Sequence, residues 1–420
     1  MSVAVAPPAS PLRDRTYRRL FTAQVVALLG TGLATVALSL LAYDLAERDA
    51  GVVLGVALAL KMVAYVVVAP VVAGLFQRVE RRRLLIAADL TRAACAFAMP
   101  FVTHVWQVLV LIFVLNACSA AFTPTFQAAI PDVLPDEERY TRALSLSRVA
   151  YELENLVSPA LAAAALLVVS FHALFAINGI AFLCSAALVG SIRLPAAAGA
   201  ARSAAGSGWE RVSSGTRRYL RVPRLRALLA LDVAVASASA MVIVNTVVFV
   251  RDHFGRSSDV DVAIALGAAG VGSMAAALLM PRALRLLGDR ATLLAGGAVL
   301  PVGLALSATL SGYGALLAVW VLLGIGLALI ETPSGRLVQR SVSDGDGPAL
   351  FAAQFSLSHA CWLVTYPVAG VLGSVLGLDA VAWILAGVAA VAAVIAARLW
   401  RHPTVAERMP SRGADAVGPA

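Results

Sequence analysis

Twelve apolar runs of about 20 residues each occupy most of this chain, and short breaks containing charge, proline or glycine separate them. A helix of that length crosses the hydrocarbon core of a bilayer, so the pattern predicts an all-α integral membrane protein with twelve transmembrane helices. The first six predicted spans cover residues 21–45, 52–76, 84–102, 106–122, 143–170 and 174–192. The second six cover residues 228–250, 262–280, 292–309, 314–330, 350–376 and 381–400.

The composition excludes a soluble enzyme. Hydrophobic residues make up 60% of the chain and charged residues 14%, with a mean hydropathy of +0.86, whereas a soluble domain carries about 25% charged residues. The sequence also lacks the motifs of zinc peptidases and of nucleotide-binding loops, and its histidines are scattered. The four cysteines lie singly inside apolar runs, which predicts neither a disulfide framework nor a zinc site. We therefore expect no metal site and no cofactor.

The distribution of positive charge along the sequence predicts how the chain is oriented in the membrane. A net charge of +9 would suit a nucleic-acid partner only if the cations formed one face, but they lie in the breaks between apolar runs. With the N-terminus in the cytoplasm, 28 of the 33 Lys and Arg residues fall in cytoplasmic segments, which retain cations in membrane proteins. We predict a multi-pass protein of the bacterial inner (plasma) membrane with both termini cytoplasmic. The first run exceeds a signal-peptide core in length, so we expect it to be retained.

The spans divide into two groups of six around residues 193–223, where an Ala-rich stretch and a basic segment predict a flexible tether and a surface helix. We assign residues 1–192 to an N-terminal six-helix bundle, 224–400 to a C-terminal six-helix bundle, and 401–420 to a cytoplasmic tail expected to be disordered. Landmarks that recur 208 or 209 residues apart indicate two six-helix repeats. They are Arg81 with Arg290, Thr123 and Pro124 with Thr332 and Pro333, and Pro159 with Pro367.

The predicted loop between spans two and three carries a recognisable motif. Ala73 stands where the motif has its first glycine, Gln77 where it has an acid and Glu80 where it has a second glycine, while the arginines of the motif are present. These arginines are Arg78, Arg81, Arg82 and Arg83. The sequence thereby resembles the major facilitator superfamily, whose fold has twelve helices in two halves. The resemblance implies a cytoplasmic charge relay, and Asp89 with Arg92, three residues apart, could form a local ion pair in place of the missing acid.

Residues 126–138 and 142–148 narrow the resemblance. They are similar to the branch of that superfamily that holds drug:proton antiporters, enterobactin and macrolide exporters and nickel-resistance permeases. The resemblance implies a secondary transporter that binds a small molecule at the interface of the halves and exports it. It implies protons and the lipid bilayer as further partners, and we expect a monomer.

Charged residues deep in a span are the candidates for mechanism, because they are costly there and usually face a cavity or a partner. Lys61, the only lysine in the sequence, lies near the middle of span two, and we expect it to line a cavity and pair with a carboxylate. In span five, Arg148, Glu152 and Asn155 recur at helical spacing, and Glu154 lies on a neighbouring stripe. Our hypothesis is that Glu152 or Glu154 alternates between protonated and ionised forms, influenced by Lys61. The alternative is that Arg148 and Glu152 merely neutralise each other.

Other polar and aromatic residues within spans are candidates for lining the cavity: Gln24, Tyr65, Asn155, Asn245, His359 and Tyr366. Candidates for a cytoplasmic gate or its loop motif are Arg78, Arg81, Arg82, Asp89, Arg92, Arg290 and Glu331. We expect Glu331 to end span ten near the cytoplasmic boundary, and Asp232 to be a gate or a helix-end charge.

The favoured function is proton-coupled efflux of a small amphiphilic compound, of drug or siderophore type, by alternating access. Export of nickel, cobalt or another divalent metal is a second hypothesis, although the five scattered histidines form no metal-collecting tail. A third, of a different class, is a receptor or lipid scramblase built on the same fold.

Overall fold

The computed structural model describes residues 10–46, 50–76, 79–194, 208–256, 258–342 and 346–400. Within these ranges the chain is helical and has no β-strand. The first seven helices are α1 (Arg15–Ala46), α2 (Ala50–Leu75), α3 (Arg81–Ala98), α4 (Val105–Val133), α5 (Glu137–Leu166), α6 (Phe171–Gly190) and α7 (Gly208–Arg221). The other five are α8 (Pro223–Val248), α9 (Asp259–Ser307), α10 (Tyr313–Gln339), α11 (Gly347–Leu376) and α12 (Leu378–Leu399).

The helices agree with the predicted all-α membrane fold. Ten stretches of the described chain are long and apolar enough to cross a membrane. One of them, 260–307, contains a break at Gly288, whose φ of 73° and ψ of 171° end one helix and start the next, so it holds two predicted spans. The remaining predicted span corresponds to α5, whose Arg148, Glu152 and Glu154 make it less apolar than the others.

Helices α4 and α10 extend farther than predicted. The predicted spans ended at residues 122 and 330, immediately before Thr123 and Glu331, whereas α4 continues to Val133 and α10 to Gln339. Pro124, Pro131 and Pro333 lie inside these helices without ending them. Neighbouring helices tolerate such prolines by compensating the lost backbone hydrogen bond. The expectation that Glu331 ends a span at the boundary is therefore wrong, because eight further helical residues follow it.

The helices pack mainly with partners from their own half of the sequence. Among the first six, α1 contacts α5 and α6, α3 contacts α4 and α6, and α2 contacts α4. In the second half, α8 contacts α9, α11 and α12, and α9 contacts α10 and α12. Helices α5 and α2 also pack across the halves, α5 against α9 and α10, and α2 against α11. The candidate residues of α2 and α5 therefore lie where the two halves meet.

The basic segment of the linker forms α7, as predicted, but this helix is packed against protein. Its buried side includes Gly215 and Tyr219, four residues apart, and its exposed side includes Ser214, Arg217 and Arg221. The helix contacts α2, α8 and α11. The rest of the predicted tether, residues 195–207, and the tail after residue 400 lie outside the described residues.

Glycines allow α9 and α10 to touch backbone to backbone. An added Cβ at Gly324 would fall on the carbonyl oxygen of Ala269, and one at Gly272 would fall on the carbonyl oxygen of Val321. A main-chain carbonyl within a helix cannot move aside as the end of a flexible side chain can. Small residues at helix interfaces stabilise membrane proteins in this way, because van der Waals packing replaces the hydrophobic effect there.

We predict that Gly324→Ala lowers the free energy of unfolding by about 1–3 kcal/mol, the usual cost of overpacking. Thermal unfolding of the purified protein in detergent measures the change. Gly387→Ala, in the interior of α12, is the matched control because its added Cβ meets no atom within 4 Å. An equal stability of both variants would contradict the close contact of α9 with α10.

Candidate functional site

Arg148 of α5 is shared by two carboxylates, one from each half of the chain. Its Nη1 atom lies 2.6 Å from Oε2 of Glu331 in α10, and its Nη2 atom pairs with Glu152 one turn further along α5. The Arg148 Nε atom donates a 2.9 Å hydrogen bond to Oγ of Ser273 in α9, and that hydroxyl donates to Oε1 of Glu152 at 2.7 Å. Arg148 and Glu152 therefore neutralise each other, as the simpler alternative proposed, but they also bind the second half.

This arrangement gives each of the three charged side chains an oppositely charged partner, without which its burial would be costly. The Glu152 side chain is 10% exposed, that of Arg148 19% and that of Glu331 22%. Three charges that are buried or half-buried together need their hydrogen bonds completed, and removing one partner of a fully buried pair typically costs about 3–5 kcal/mol. Here the guanidinium is bound on three of its nitrogens by two carboxylates and a hydroxyl.

Glu154 lies on the α1 side of α5. A Cβ added at Gly32 of α1 would lie 2.9 Å from Oε1 of Glu154 and would overlap Ser158, so the absent side chain at Gly32 leaves room for this carboxylate. Lys61 is the cation within electrostatic range of Glu154, yet no ion pair to Lys61 is found among the described residues. The predicted pairing of Lys61 with a carboxylate is therefore a longer-range attraction.

Lys61 instead faces an aromatic cluster between α2 and α11. Its Nζ atom lies 5.7 Å from the centre of the Tyr65 ring, and Tyr65 contacts Phe355 and His359 with centroid distances of 5.0 and 4.8 Å. His359 also makes an edge-to-face contact with Trp362, with 4.6 Å between the ring centroids. The His359 Nδ1 atom is 2.6 Å from the carbonyl oxygen of Phe355, which directs Nε2 away from its own helix. Two predicted cavity residues, Tyr65 and His359, thus lie together beside Lys61.

The other predicted cavity residues lie apart from that cluster. Gln24 is buried and accepts a 3.0 Å hydrogen bond from Ser147 of α5. Asn245 is buried beside Gly373 in the second half, and Tyr366 packs against the core of that half. Asn155 lies on α5, but its side chain is outside the described residues.

The beginning of α5 is bound to α9 and α10 by ion pairs. Arg336 lies 2.7 Å from Glu137 and 3.0 Å from Asp289, and it donates to Thr141 at 2.7 Å. Arg340 pairs with the same two carboxylates, and Arg285 lies 2.6 Å from Glu138. Residue spacing did not predict this layer, because its partners are far apart in sequence. The two adjacent acids in the first turn of α5 were a visible signal, since negative charge there interacts favourably with the helix dipole and attracts cations.

The predicted loop-motif residues act mostly within the first half. Arg81 pairs with Asp132 and donates to the carbonyl oxygen of Ala128 in α4, while Arg82 donates to the carbonyl oxygen of Gly190 in α6. Arg290 is exposed and has no ion pair in the part of the chain that the structure describes, and Arg78 lies outside that part.

Asp89 and Arg92 form the ion pair that their spacing suggested. Both side chains are buried, and the Arg92 guanidinium lies 4.3 Å from the Phe122 ring centre and 4.5 Å from that of Phe182. These cation–π contacts hold α3 against α4 and α6. The pair therefore lies inside the packing of the first half, away from the contacts between halves.

A family model decides what kind of protein has this architecture. The model of the Major Facilitator Superfamily matches the sequence over residues 20–285 and over residues 233–418. The chain belongs to the Major Facilitator Superfamily. This member of the superfamily is therefore a multi-pass membrane transporter and not an enzyme.

Curated relatives of this superfamily member include two macrolide efflux proteins. Macrolide efflux protein A of Streptococcus pyogenes is 27% identical over 184 residues, which are 43% of this chain and 45% of that protein. Macrolide efflux protein A of Enterococcus faecalis is 29% identical over 136 residues, 31% of this chain and 42% of that protein. The chain spans less than half the length of these curated relatives.

Solved structures share the superfamily fold over nearly the whole chain. The human organic anion transporter MFSD10 has a TM-score of 0.74 at 14% identity and is covered completely by 92% of this chain. The Escherichia coli fucose:proton symporter has a TM-score of 0.72 at 15% identity, and the match covers 91% of this chain and 98% of the symporter. A bacterial homologue of the iron transporter ferroportin, in an outward-facing state, has a TM-score of 0.72 at 12% identity. The match covers 92% of this chain and 99% of that homologue. At these identities the likeness concerns the fold.

The ion-pair layer makes Arg336 more important than Arg290 for holding α5 against α10, although Arg290 and not Arg336 is among the predicted gate residues. Leu144→Cys serves as a reporter, since Leu144 packs against Gly335 where α5 meets α10. We predict that Arg336→Gln increases its labelling by a membrane-impermeant maleimide about tenfold, because hydrogen bonds to charged groups are lost.

Arg290→Gln is the matched control and leaves the labelling rate unchanged, since the Arg290 side chain is exposed. Equal rates in the two variants would show that the layer does not hold α5 against α10.

Proposed function

We propose that this transporter is a proton-coupled exporter of small amphiphilic compounds that works by alternating access. The observation that carries the proposal is the bridge from Glu152 through Arg148 to Glu331, which joins the two halves of the chain. A proton that neutralises one member of such a bridge changes the energy of holding the halves together. Transport can be coupled to protons through this change without any other energy source.

The proposed moving bodies are the predicted bundles, residues 1–192 and 224–400. The polar contacts between them that the structure describes lie between residues 137 and 152 of α5, together with one from Ser356 to the Val66 carbonyl oxygen of α2 at 2.5 Å. We place the beginning of α5 at the cytoplasmic face, with both termini in the cytoplasm of a bacterial plasma membrane. The arrangement then corresponds to a state closed towards the cytoplasm.

Glu154 is the proposed entry point for the proton. It has no ion pair among the described residues, and Lys61 lies within electrostatic range. A proton on Glu154 removes its attraction to Lys61. The Lys61 ammonium is then left to interact with the aromatic cluster, whose members are Tyr65, Phe355, His359 and Trp362. Glu152 then transmits the change, because it lies two residues before Glu154 on the same helix and is bound to both Arg148 and Ser273.

Two observations favour an amphiphilic substrate. The aromatic cluster lies beside a cation and carboxylates, which suits a compound with an apolar body and polar groups. The relatives named for macrolide efflux support the same direction of transport and the same class of compound. No group of three or more His, Cys, Asp or Glu side chains in the described residues could hold a metal ion, so nothing in the geometry favours metal export.

Efflux in inside-out vesicles with an acidic lumen tests the coupling. We predict that Glu152→Gln and Glu154→Gln lose gradient-driven accumulation of a macrolide in the lumen, because neither amide can take up and release a proton. Glu80→Gln is the control, since the Glu80 side chain is 53% exposed and its partner Arg83 is 79% exposed. Full accumulation by both variants would overturn proton coupling through these carboxylates.

The substrate class is tested separately in a strain that lacks the gene. We expect expression of the transporter to raise resistance to macrolides and lipophilic cations but not to nickel and cobalt salts. Resistance confined to the metal salts would show that the substrate is a divalent cation and not an amphiphilic compound.

A further inference from the structure

The linker helix α7 leaves a cavity where it packs against the beginning of α11. The cavity has a volume of ≈ 370 Å³. Arg217, Arg218 and Arg221 of α7 line it together with Ala349 of α11. Helix α7 comes closest to α11 at Gly215, where an added Cβ would lie 2.5 Å from the Ala349 carbonyl oxygen. This close approach holds the three arginines beside the first turn of α11.

Two of these arginines have no carboxylate partner. Arg218 pairs with Asp346, which precedes α11. Arg217 and Arg221 are exposed and have no ion pair in the part of the chain that the structure describes. The other acid of the cavity, Glu210, lies seven residues before Arg217, or about 10 Å along the helix axis at 1.5 Å per residue. Because Arg217 and Arg221 are one helical turn apart, their like charges repel each other unless an anion lies between them.

The cavity is level with the ends of two membrane spans. The stretch of α2 that is apolar enough to cross a membrane ends at Leu75, and that of α11 begins at Gly347. Val212 of α7 packs on Gly74, and a Cβ added at Gly74 would lie 2.6 Å from the Val212 Cα atom. Leu75 and, on α7 itself, Leu220 are 51% and 42% exposed. Exposed apolar side chains beside arginines are typical of a helix at the membrane interface, so the cavity lies at the depth of lipid headgroups.

We propose that this cavity binds the phosphate group of an anionic phospholipid, held by the guanidinium groups of Arg217 and Arg221. Each guanidinium is a planar fork of N–H donors that fits two phosphate oxygens, and two forks one turn apart can share one phosphate. The ammonium group of a zwitterionic phospholipid would add positive charge to a site that already has an excess of it, so such a lipid binds more weakly. Lipid binding here does not depend on the proposed transport function.

Native mass spectrometry of the full-length protein, released from detergent, measures the binding of dioleoyl phosphatidylglycerol. We expect the double variant Arg217→Gln with Arg221→Gln to weaken the tightest binding event. An arginine near an anionic lipid contributes about fivefold to affinity, so the loss of two raises the Kd about 30-fold.

The matched control is the double variant Arg282→Gln with Arg290→Gln. It removes the same charge, and both of its arginines are exposed on α9 and have no ion pair within the described ranges. We expect it to leave the Kd unchanged. If the two double variants bound phosphatidylglycerol equally well, the site would not be on α7 and the proposal would be wrong.

Three further measurements separate the cavity from a general attraction to charge. Ser214 lines the cavity and is exposed, so Ser214→Phe fills the space without changing the charge and should also raise the Kd. An unchanged Kd in this variant, or equal affinity of the unaltered chain for dioleoyl phosphatidylcholine, would overturn the proposal. Inorganic phosphate in large molar excess should leave the lipid bound, whereas its displacement would identify the ligand as a soluble phosphate compound and exclude the lipid.

Discussion

Arg148 lies between two carboxylates that reach it from different halves of the chain, and none of the three side chains is more than 22% exposed. Glu152 comes from its own helix and Glu331 from α10, and Ser273 completes the set. Because a buried charge that loses its partner costs several kcal/mol, the three charged groups constrain how α5, α9 and α10 approach one another. The packing of α2 against α11 and the ion pairs at the start of α5 extend the same interface between the halves.

Periodicity and charge position predicted the helices well. Spans of apolar residues located the membrane helices to within a few residues at most ends, and the stripe on α5 identified Arg148 and Glu152 as neighbours. Local ion pairs such as Asp89 with Arg92 follow from helical spacing alone. These helices are predictable because a helix in lipid must satisfy its own backbone hydrogen bonds, so that few alternative structures are available.

Contacts between distant segments were not predicted. The pair of Arg148 with Glu331 and that of Arg336 with Glu137 join residues far apart in sequence, and spacing carries no information about them. Glu331 was placed at the end of a span, but α10 continues through Pro333, because a proline within a membrane helix is tolerated where other helices surround it. The basic segment that forms α7 suggested a membrane-surface helix, but its glycine and tyrosine pack against protein on one side.

The central claim is that the charge of Arg148 holds together the ends of the two halves that we propose to be cytoplasmic. Spin labels on Pro135→Cys and Leu286→Cys, both exposed, measure that separation by double electron–electron resonance in lipid nanodiscs. Replacing Arg148 with Met leaves Glu152 and Glu331 to repel each other, so the account predicts a shift of the distance distribution to longer values. A distribution identical to that of the unaltered chain would contradict it.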